Sequence, residues 1–148
     1  RAADAVRPGA LVTWSAISTV ARTTPEESAR WREVGWRPVV NIRTGQRFRQ
    51  STALLDDAER HARGRLDIPG AAARVGVPWL LVHGADDETV PVTEGERLAA
   101  AADASRTTVR LVPELSHAFG ATHPLAAPGA ALDALVRESV DFLVRQLA

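Results

Sequence analysis

Apolar residues form three short runs that predict β-strands. Residues 10–16 (ALVTWSA) follow a Pro-Gly pair, residues 77–83 (VPWLLVH) are almost continuously apolar, and residues 107–112 (TTVRLV) are rich in β-branched side chains. Short apolar runs bounded by turn residues are typical of strands, and an unbroken run is typical of a strand buried on both faces. The pattern therefore predicts three strands, the second of them fully buried.

Helical patterns occur between and after these runs. Residues 24–27 (TPEE) combine a capping box with a proline at the first helical position, which predicts a helix to about Val34 that stops at Gly35. Residues 93–96 (TEGE) form a second capping box and predict a helix to about residue 103. Residues 129–147 predict an amphipathic helix. Its apolar face consists of Leu132, Leu135, Val136, Val140, Leu143 and Leu147.

The segment between the first two strands is less regular. Residues 37–50 predict either two short strands about a Thr44-Gly45 turn or an arginine-rich loop. Residues 51–63 predict a helix with Leu54 and Leu55 turned inward, and residues 69–75 predict a short helix beginning with proline. This segment reads as an insertion between a strand and a strand–helix–strand–helix unit.

Strands that alternate with helices predict an α/β fold with a parallel sheet and right-handed crossovers. The chain has 148 residues, which suits one domain with a sizeable core. We expect about three parallel strands with flanking helices.

Composition excludes several classes of function. The 18 cationic residues, all arginine, balance 18 acidic ones, so the net charge indicates neither a nucleic acid nor a membrane surface as partner. The absence of cysteine excludes disulfides, thiolate nucleophiles and cysteine-bound zinc. No apolar run approaches the roughly 18 residues of a membrane span, and no signal-peptide pattern is present, so a cytoplasmic location is expected.

Two predicted loops carry side chains suited to catalysis. Asp86 and Asp87 follow the second strand, and Glu114, Ser116 and His117 follow the third. Functional side chains of parallel sheets collect at the carboxyl ends of the strands. An acid and a later histidine on successive strand ends match the last two members of a Ser…Asp…His triad. In such a triad the histidine is the general base, and the carboxylate fixes its tautomer.

Each candidate has an alternative role. Asp87 is the preferred acid and Asp86 the second choice, although either residue also suits a turn or a helix cap. His117 is the preferred base, with an exposed loop histidine as the alternative. His83 is expected to be structural, its ring packed or bonded to backbone. His123 suits a structural place or a pocket rim, and the His117–His123 pair lacks the further ligands of a metal site.

These two loops carry a resemblance to a known family. Residues 80–91 (LLVHGADDETVP) resemble the G-x-x-D-x-x-V-P loop of α/β-hydrolases, particularly dienelactone-hydrolase-like and prolyl-oligopeptidase-like members. Residues 113–120 (PELSHAFG) resemble their catalytic-histidine loop, often G-x-H-x-F, with Leu115 where many relatives have glycine. The resemblance runs from about Ala10 to the C-terminus.

The resemblance implies the C-terminal half of an α/β-hydrolase. Asp87 would be the acid and His117 the base in hydrolysis of an ester or another acyl bond of a small molecule, with no metal or organic cofactor. A prolyl-oligopeptidase-type serine peptidase is the alternative enzyme. A catalytically inactive fragment or binding module is the alternative outside enzymes. Substrate identity and oligomeric state stay open.

The nucleophile of such a triad is missing from the sequence. No G-x-S-x-G elbow is present, and Ser15 stands at a strand end without flanking glycines. The family order places the nucleophile and the oxyanion hole before the first predicted strand. We therefore expect them upstream of Arg1, and we expect the chain alone to be inactive.

The insertion, residues 24–65, has two interpretations. As a cap over the pocket it would help to select the acyl or leaving group through Trp31, Trp36 and Phe48. Alternatively, these aromatic side chains pack the insertion onto the main sheet. An arginine cluster in the same segment suits a solvated face better than an anion site. Its members are Arg43, Arg47 and Arg49.

Overall fold

A three-stranded parallel sheet organises the larger part of the chain. The computed structural model describes residues 8–41, 44–121, 124, 127 and 129–148. Within this part, β1 (Leu11–Trp14), β4 (Trp79–Gly84) and β5 (Thr107–Val112) run parallel in the order β1-β4-β5. The three predicted strands are therefore confirmed, with the second at the centre.

The chain divides into two compact units. The first comprises the described residues of Arg1–Ser18 and Ile68–Ala148 and contains the parallel sheet. The second, Thr19–Asp67, contains the hairpin of β2 (Trp36–Val40) and β3 (Arg47–Ser51).

Strand β4 supplies the core of the first unit because all six of its residues are buried. Successive side chains of a strand point to opposite faces. Leu80 and Val82 pack with Phe119 and with helix α5 (Ala130–Leu147). On the other face, Trp79 and Leu81 pack against a second cluster, whose other buried members are Ala72 of α3 (Ile68–Ala72) and Leu98 of α4 (Val92–Ala101).

Helix α5 packs on the core with part of the predicted face, since Leu135 is buried and Leu132 and Leu143 pack against the core cluster. Leu135 and Phe142 are its buried residues, whereas Val136 and Val140 are exposed. Leu147 is also exposed. The Trp14 indole N–H also donates to Ser139 Oγ of this helix at 3.1 Å.

Helix α4 begins without the predicted capping box. Its first residue is Val92, after Pro91, and no side chain caps its amino end. The Glu94 carboxylate, predicted beside the cap, instead accepts hydrogen bonds from the N–H and the hydroxyl of Ser18, both at 2.7 Å. Arg97 binds its other oxygen at 2.9 Å. Because the helix begins at Val92, Thr93 lies inside its first turn and is not the N-cap residue.

The second unit begins with helix α1 (Pro25–Val34), whose predicted capping box is present. The Thr24 hydroxyl accepts the Glu27 N–H at 3.2 Å, and the Glu27 carboxylate accepts the Thr24 N–H at 2.8 Å. Gly35 ends the helix with a φ of 81°, in the left-handed region that glycine adopts most readily. Both ends of this helix agree with the sequence prediction.

The hairpin and helix α2 (Ala53–His61) complete the second unit. β2 and β3 pair antiparallel, which supports two strands over an arginine-rich loop for this segment. Trp31 is buried, and its indole N–H donates to the Gln50 carbonyl at 3.1 Å. In α2, Leu55 is buried but Leu54 is 48% exposed, so the prediction that both turn inward is wrong for Leu54.

Candidate active site

The loops after β4 and β5 leave the sheet side by side. The register pairs Gly84 with Val112, the last residues of the two strands. Beyond them, the Ala85 N–H donates to the Val112 carbonyl at 2.9 Å, and the Asp86 N–H donates to the Leu115 carbonyl at 3.2 Å. The parallel pairing therefore continues into the loops and brings the acid loop and the base loop together, as the sequence predicts for neighbouring strands.

Gly84 permits this close approach. A Cβ atom at this position would overlap the carbonyl oxygen of Leu115 and lie 3.0 Å from that of Ser116. Both obstacles are backbone atoms, which cannot move aside as the end of a side chain can. A glycine is therefore required where the base loop crosses the end of β4.

Asp87 is held by its own loop and by His117. Its side chain is fully buried. Oδ1 accepts the N–H of Thr89 at 2.9 Å and that of Val90 at 2.7 Å. Oδ2 lies 2.9 Å from His117 Nδ1. Both carboxylate oxygens are thus bound, and the rotation of the side chain is fixed.

Opposing effects set the charge of Asp87. Burial raises the pKa of its carboxyl group, whereas the Val90 N–H, the Ser15 hydroxyl and His117 lower it. The balance leaves the pKa below the ordinary value of 3.8. The Ser15 hydroxyl acts on the carboxylate by proximity, since its oxygen is buried and makes no hydrogen bond of normal geometry with any described residue. Asp87 is therefore ionised at neutral pH.

His117 binds the buried Asp87 carboxylate and is itself partly exposed to solvent. Its side chain is 45% exposed, while its Nδ1 binds Asp87. Because an ionised carboxylate only accepts hydrogen bonds, Nδ1 carries the proton and Nε2 of the neutral ring keeps a free lone pair. No described residue forms a hydrogen bond with Nε2. The arrangement can therefore accept a proton at Nε2 while Asp87 stabilises the resulting imidazolium.

Phe119 anchors the loop that carries His117. Its side chain is buried in the core cluster beneath α5, and its ring lies 5.0 Å from that of Trp14, measured between centroids. Its N–H donates to the Ser116 carbonyl at 3.0 Å, closing a turn around His117. The backbone φ is 52° at Phe119 and 59° at Glu114, both in the left-handed region.

His83 occupies the buried place expected of it. Its ring is fully buried, and Nε2 lies 2.8 Å from the Val90 carbonyl oxygen. The same nitrogen is 3.7 Å from Asp87 Oδ2, beyond hydrogen-bond distance. Asp86, the second choice for the acid, is exposed, and its side chain makes no contact with His117 in the described structure. His123 and Arg43 lie outside the described residues.

Sequence reasoning did not assign Ser15 and Gly84 to this site. Ser15 directly follows β1, is buried, and has a φ of 45°. Its N–H donates to the Val82 carbonyl at 2.9 Å, which places it beside the end of β4. Its position at the carboxyl end of a predicted parallel strand was the available signal, whereas the glycine's role depends on a crossing that the sequence does not reveal.

The described residues contain neither a metal-binding cluster nor a membrane-spanning helix. Histidine and carboxylate side chains do not gather there in groups of three or more that could hold a metal ion. Helices in the same residues are too short or too polar to cross a bilayer.

Known structures share this fold. The monoacylglycerol lipase of Paleococcus ferrophilus matches 97% of this chain and 61% of its own, at 17% identity and a TM-score of 0.63. Mouse alpha/beta hydrolase domain-containing protein 10 matches 94% of this chain and 53% of its own, at 17% identity and a TM-score of 0.64. Est1E from Butyrivibrio proteoclasticus matches 94% of this chain and 51% of its own, at 16% identity and a TM-score of 0.60. No protein-family model and no curated protein matches the chain.

The chain spans between 51% and 61% of the length of these three structures. The larger unit of the chain is a three-stranded parallel sheet with flanking helices, in agreement with the sequence prediction. The chain therefore has the architecture of part of the α/β-hydrolase fold.

Proposed function

We propose that this chain supplies the acid and the base of a serine hydrolase that cleaves an ester or another acyl bond. The observation that carries the proposal is the 2.9 Å contact between Asp87 Oδ2 and His117 Nδ1. It joins a fully buried carboxylate to a half-exposed imidazole, as a hydrolytic triad requires. The monoacylglycerol lipase among the similar structures favours an acyl ester over a peptide as substrate.

In the proposed reaction His117 first accepts a proton as general base and then donates it as general acid. Its Nε2 takes the proton of a serine hydroxyl as the serine oxygen attacks the acyl carbonyl carbon. The imidazolium then gives that proton to the leaving alkoxide, and an acyl-enzyme forms. Water attacks the acyl-enzyme by the reverse proton path, which releases the carboxylic acid and restores the serine. No metal or organic cofactor takes part in these steps.

Asp87 would act through His117 without changing its own protonation. Its bond to Nδ1 holds the ring in the tautomer whose Nε2 can accept a proton. Its negative charge stabilises the imidazolium that forms beside it. The lowered pKa of Asp87 supports this role, because a protonated carboxyl group could do neither.

The nucleophile is proposed to come from a protein segment outside these 148 residues. No G-x-S-x-G elbow is present in the sequence, and no serine hydroxyl of the described residues reaches His117 Nε2. The similar structures extend well beyond the part that this chain matches. The same outside segment would contribute the oxyanion hole.

The catalytic proposal is tested in the product of the whole gene. Hydrolysis of p-nitrophenyl acetate is measured for the wild type, His117→Ala and Asp87→Asn, with Asp86→Asn as the matched control. We expect kcat to fall by roughly 10³–10⁴-fold in the first two variants and by less than about twofold in the control. Activity unchanged in His117→Ala would overturn the proposal.

The 148-residue chain gives a separate test of where the nucleophile lies. We expect it to hydrolyse p-nitrophenyl acetate no faster than its own His117→Ala variant. Turnover that depends on both His117 and Asp87 in this chain alone would refute an external nucleophile while leaving the acid and base assignments intact. A whole-gene product without any hydrolase activity would support an inactive module instead.

We also propose that the insertion, residues 24–65, helps to select the acyl or leaving group of the substrate. Trp36 and Phe48 are exposed and could meet an acyl chain, whereas Trp31 is buried within the second unit and is unsuited to that role. The Arg49 guanidinium stacks on the Trp36 ring at 4.3 Å, and Arg47 is exposed like Arg49. The double variant Trp36→Ala/Phe48→Ala should raise KM for long-chain esters and leave p-nitrophenyl acetate hydrolysis unchanged. Equal effects on both substrates would exclude this role in selection.

A further inference from the structure

The ring of His83 is buried among groups that leave it little freedom. Its side chain has no solvent exposure. A Cβ atom on Gly95 of α4 would lie 2.6 Å from its Nδ1, so this glycine makes room for the ring. Fully buried histidines need a hydrogen-bonded role because desolvation of an unpaired ring nitrogen is costly.

The hydrogen bonds of His83 define its tautomer. Nε2 faces the Val90 carbonyl oxygen at 2.8 Å, and a carbonyl can only accept. Nε2 therefore carries a proton. Nδ1 is buried and has no hydrogen-bond partner among the described residues, so a proton there would be an unsatisfied buried donor. The neutral ring with its proton on Nε2 fits both observations.

His83 is connected to Asp87 through the backbone of a single residue, Val90. The Val90 carbonyl accepts from His83, and the Val90 N–H donates to Asp87 Oδ1 at 2.7 Å. His83 does not bind the carboxylate directly, since Nε2 is 3.7 Å from Oδ2. Hydrogen bonding therefore links the His83 ring to the Asp87 carboxylate only through Val90 among the described residues.

We propose that His83 is a positioning residue for the acid–base pair, fixing Val90 so that the Asp87 carboxylate presents Oδ2 to His117. The hydrogen bonds run from His83 Nε2–H to the Val90 carbonyl, from the Val90 N–H to Asp87 Oδ1, and from His117 Nδ1–H to Asp87 Oδ2. The catalytic meaning of this inference rests on the proposed function. The structural coupling can be measured without turnover.

Two substitutions of His83 separate hydrogen bonding from packing. His83→Gln keeps an N–H donor close to the position of Nε2, whereas His83→Leu fills similar space without a donor. In the Leu variant we expect the Val90 amide to exchange about tenfold faster than in the wild type, relative to the amides of β4. The pKa of Asp87, followed by carboxyl ¹³C NMR, should rise toward its ordinary value. The Gln variant should retain most of the wild-type behaviour in both measurements.

A third variant perturbs the His83 ring without replacing it, so the proposal stays testable if His83→Leu fails to fold. Gly95→Ala keeps the donor but pushes on the ring at Nδ1, and should shift the Val90 and Asp87 readouts in the same direction by a smaller amount. In the wild type, ¹⁵N shifts of His83 should show the Nε2–H tautomer.

Three results would overturn the proposal. They are a proton on Nδ1, equal effects of the Gln and Leu substitutions, and a Leu variant with wild-type Val90 exchange. A negative hydrolysis assay would bear only on the proposed function, since none of these readouts needs turnover.

Discussion

Asp87 and His117 come from adjacent loops that hold their side chains by different means. The acid is fixed locally, because the N–H groups of Thr89 and Val90, two and three residues further on, bind Oδ1. The ring of His117, the proposed base, makes one hydrogen bond with the described residues, and that bond goes to Asp87. Its place is set by Phe119, which is buried in a core formed by distant strands and a helix.

This difference predicts which substitutions will disturb which partner. A locally bonded acid should keep its orientation when the neighbouring loop is loosened. A base held by core packing should lose its position when the anchor is removed. Asp87 should therefore tolerate changes in the loop of His117 better than His117 tolerates the loss of Phe119.

Removing the Phe119 anchor should have the largest effect. We expect Phe119→Ala to lower the free energy of unfolding by about 3–5 kcal/mol, because it empties a buried aromatic site. The Asp87–His117 hydrogen bond should weaken at the same time. Urea unfolding measures the first effect, and the His117 Nδ1 proton resonance reports the second. The half-exposed Phe48→Ala is the matched control, with an expected loss of about 1 kcal/mol or less; equal losses would argue against the anchor role.

Closing the gap between the two loops should have the next largest effect. Gly84→Ala places a methyl group against the Leu115 carbonyl, and we expect a loss of about 3 kcal/mol, at the upper end of overpacking costs. Nothing lies within 4 Å of a Cβ built on Gly76, so Gly76→Ala serves as the control and should be nearly neutral. If both variants unfold at the same urea concentration, the crossing over Gly84 is not tight in solution.

The position of Asp87 in the turn after β4 could be predicted from sequence because its determinants are local. A continuous apolar run predicted β4, and Asp87 stands three residues after Gly84 in a turn whose N–H groups it binds. The exposure of Asp86 and the burial of Asp87 follow from the same turn. Their order in the sequence was sufficient to choose between them as candidates.

The base side and the helix ends depend on contacts between distant residues. The crossing of Leu115 over Gly84 and the burial of Phe119 need the folded sheet and α5. Thr93 and Glu96 matched a capping box, but the helix begins at Val92, and the neighbouring Glu94 binds the distant Ser18. Periodicity placed α5 and the core positions of Leu132, Leu135 and Leu143 correctly, but it assigned the exposed Val136 and Val140 to the core face and missed the buried Phe142.

The charge of Asp87 should contribute a moderate, pH-dependent stability. We expect Asp87→Ala to cost about 1–3 kcal/mol at pH 7, since it leaves buried N–H donors unpaired, and the exposed control Asp86→Ala to cost less than about 0.5 kcal/mol. The folded pKa of Asp87 is depressed, so this contribution is present above about pH 4 and is lost as the pH falls through the folded value. The difference in unfolding free energy between wild type and Asp87→Ala should therefore shrink as the pH is lowered below about 4. A constant difference would mean that the carboxylate is not specially stabilised.

The smallest effect should come from the left-handed turn at the start of the base loop. Glu114 is exposed and has a φ of 59°, a conformation that costs a non-glycine residue about 1–2 kcal/mol. Glu114→Gly removes that cost but adds freedom to the unfolded chain, so we expect a net gain of about 0.5 kcal/mol. Glu88→Gly, at an exposed position of the acid loop without a positive φ, should instead lose about 0.5–1 kcal/mol. A gain at residue 114 with the Asp87–His117 bond unchanged would mean that the turn strains the backbone without helping to place the base. A loss would mean that the Glu114 side chain itself holds the loop in position.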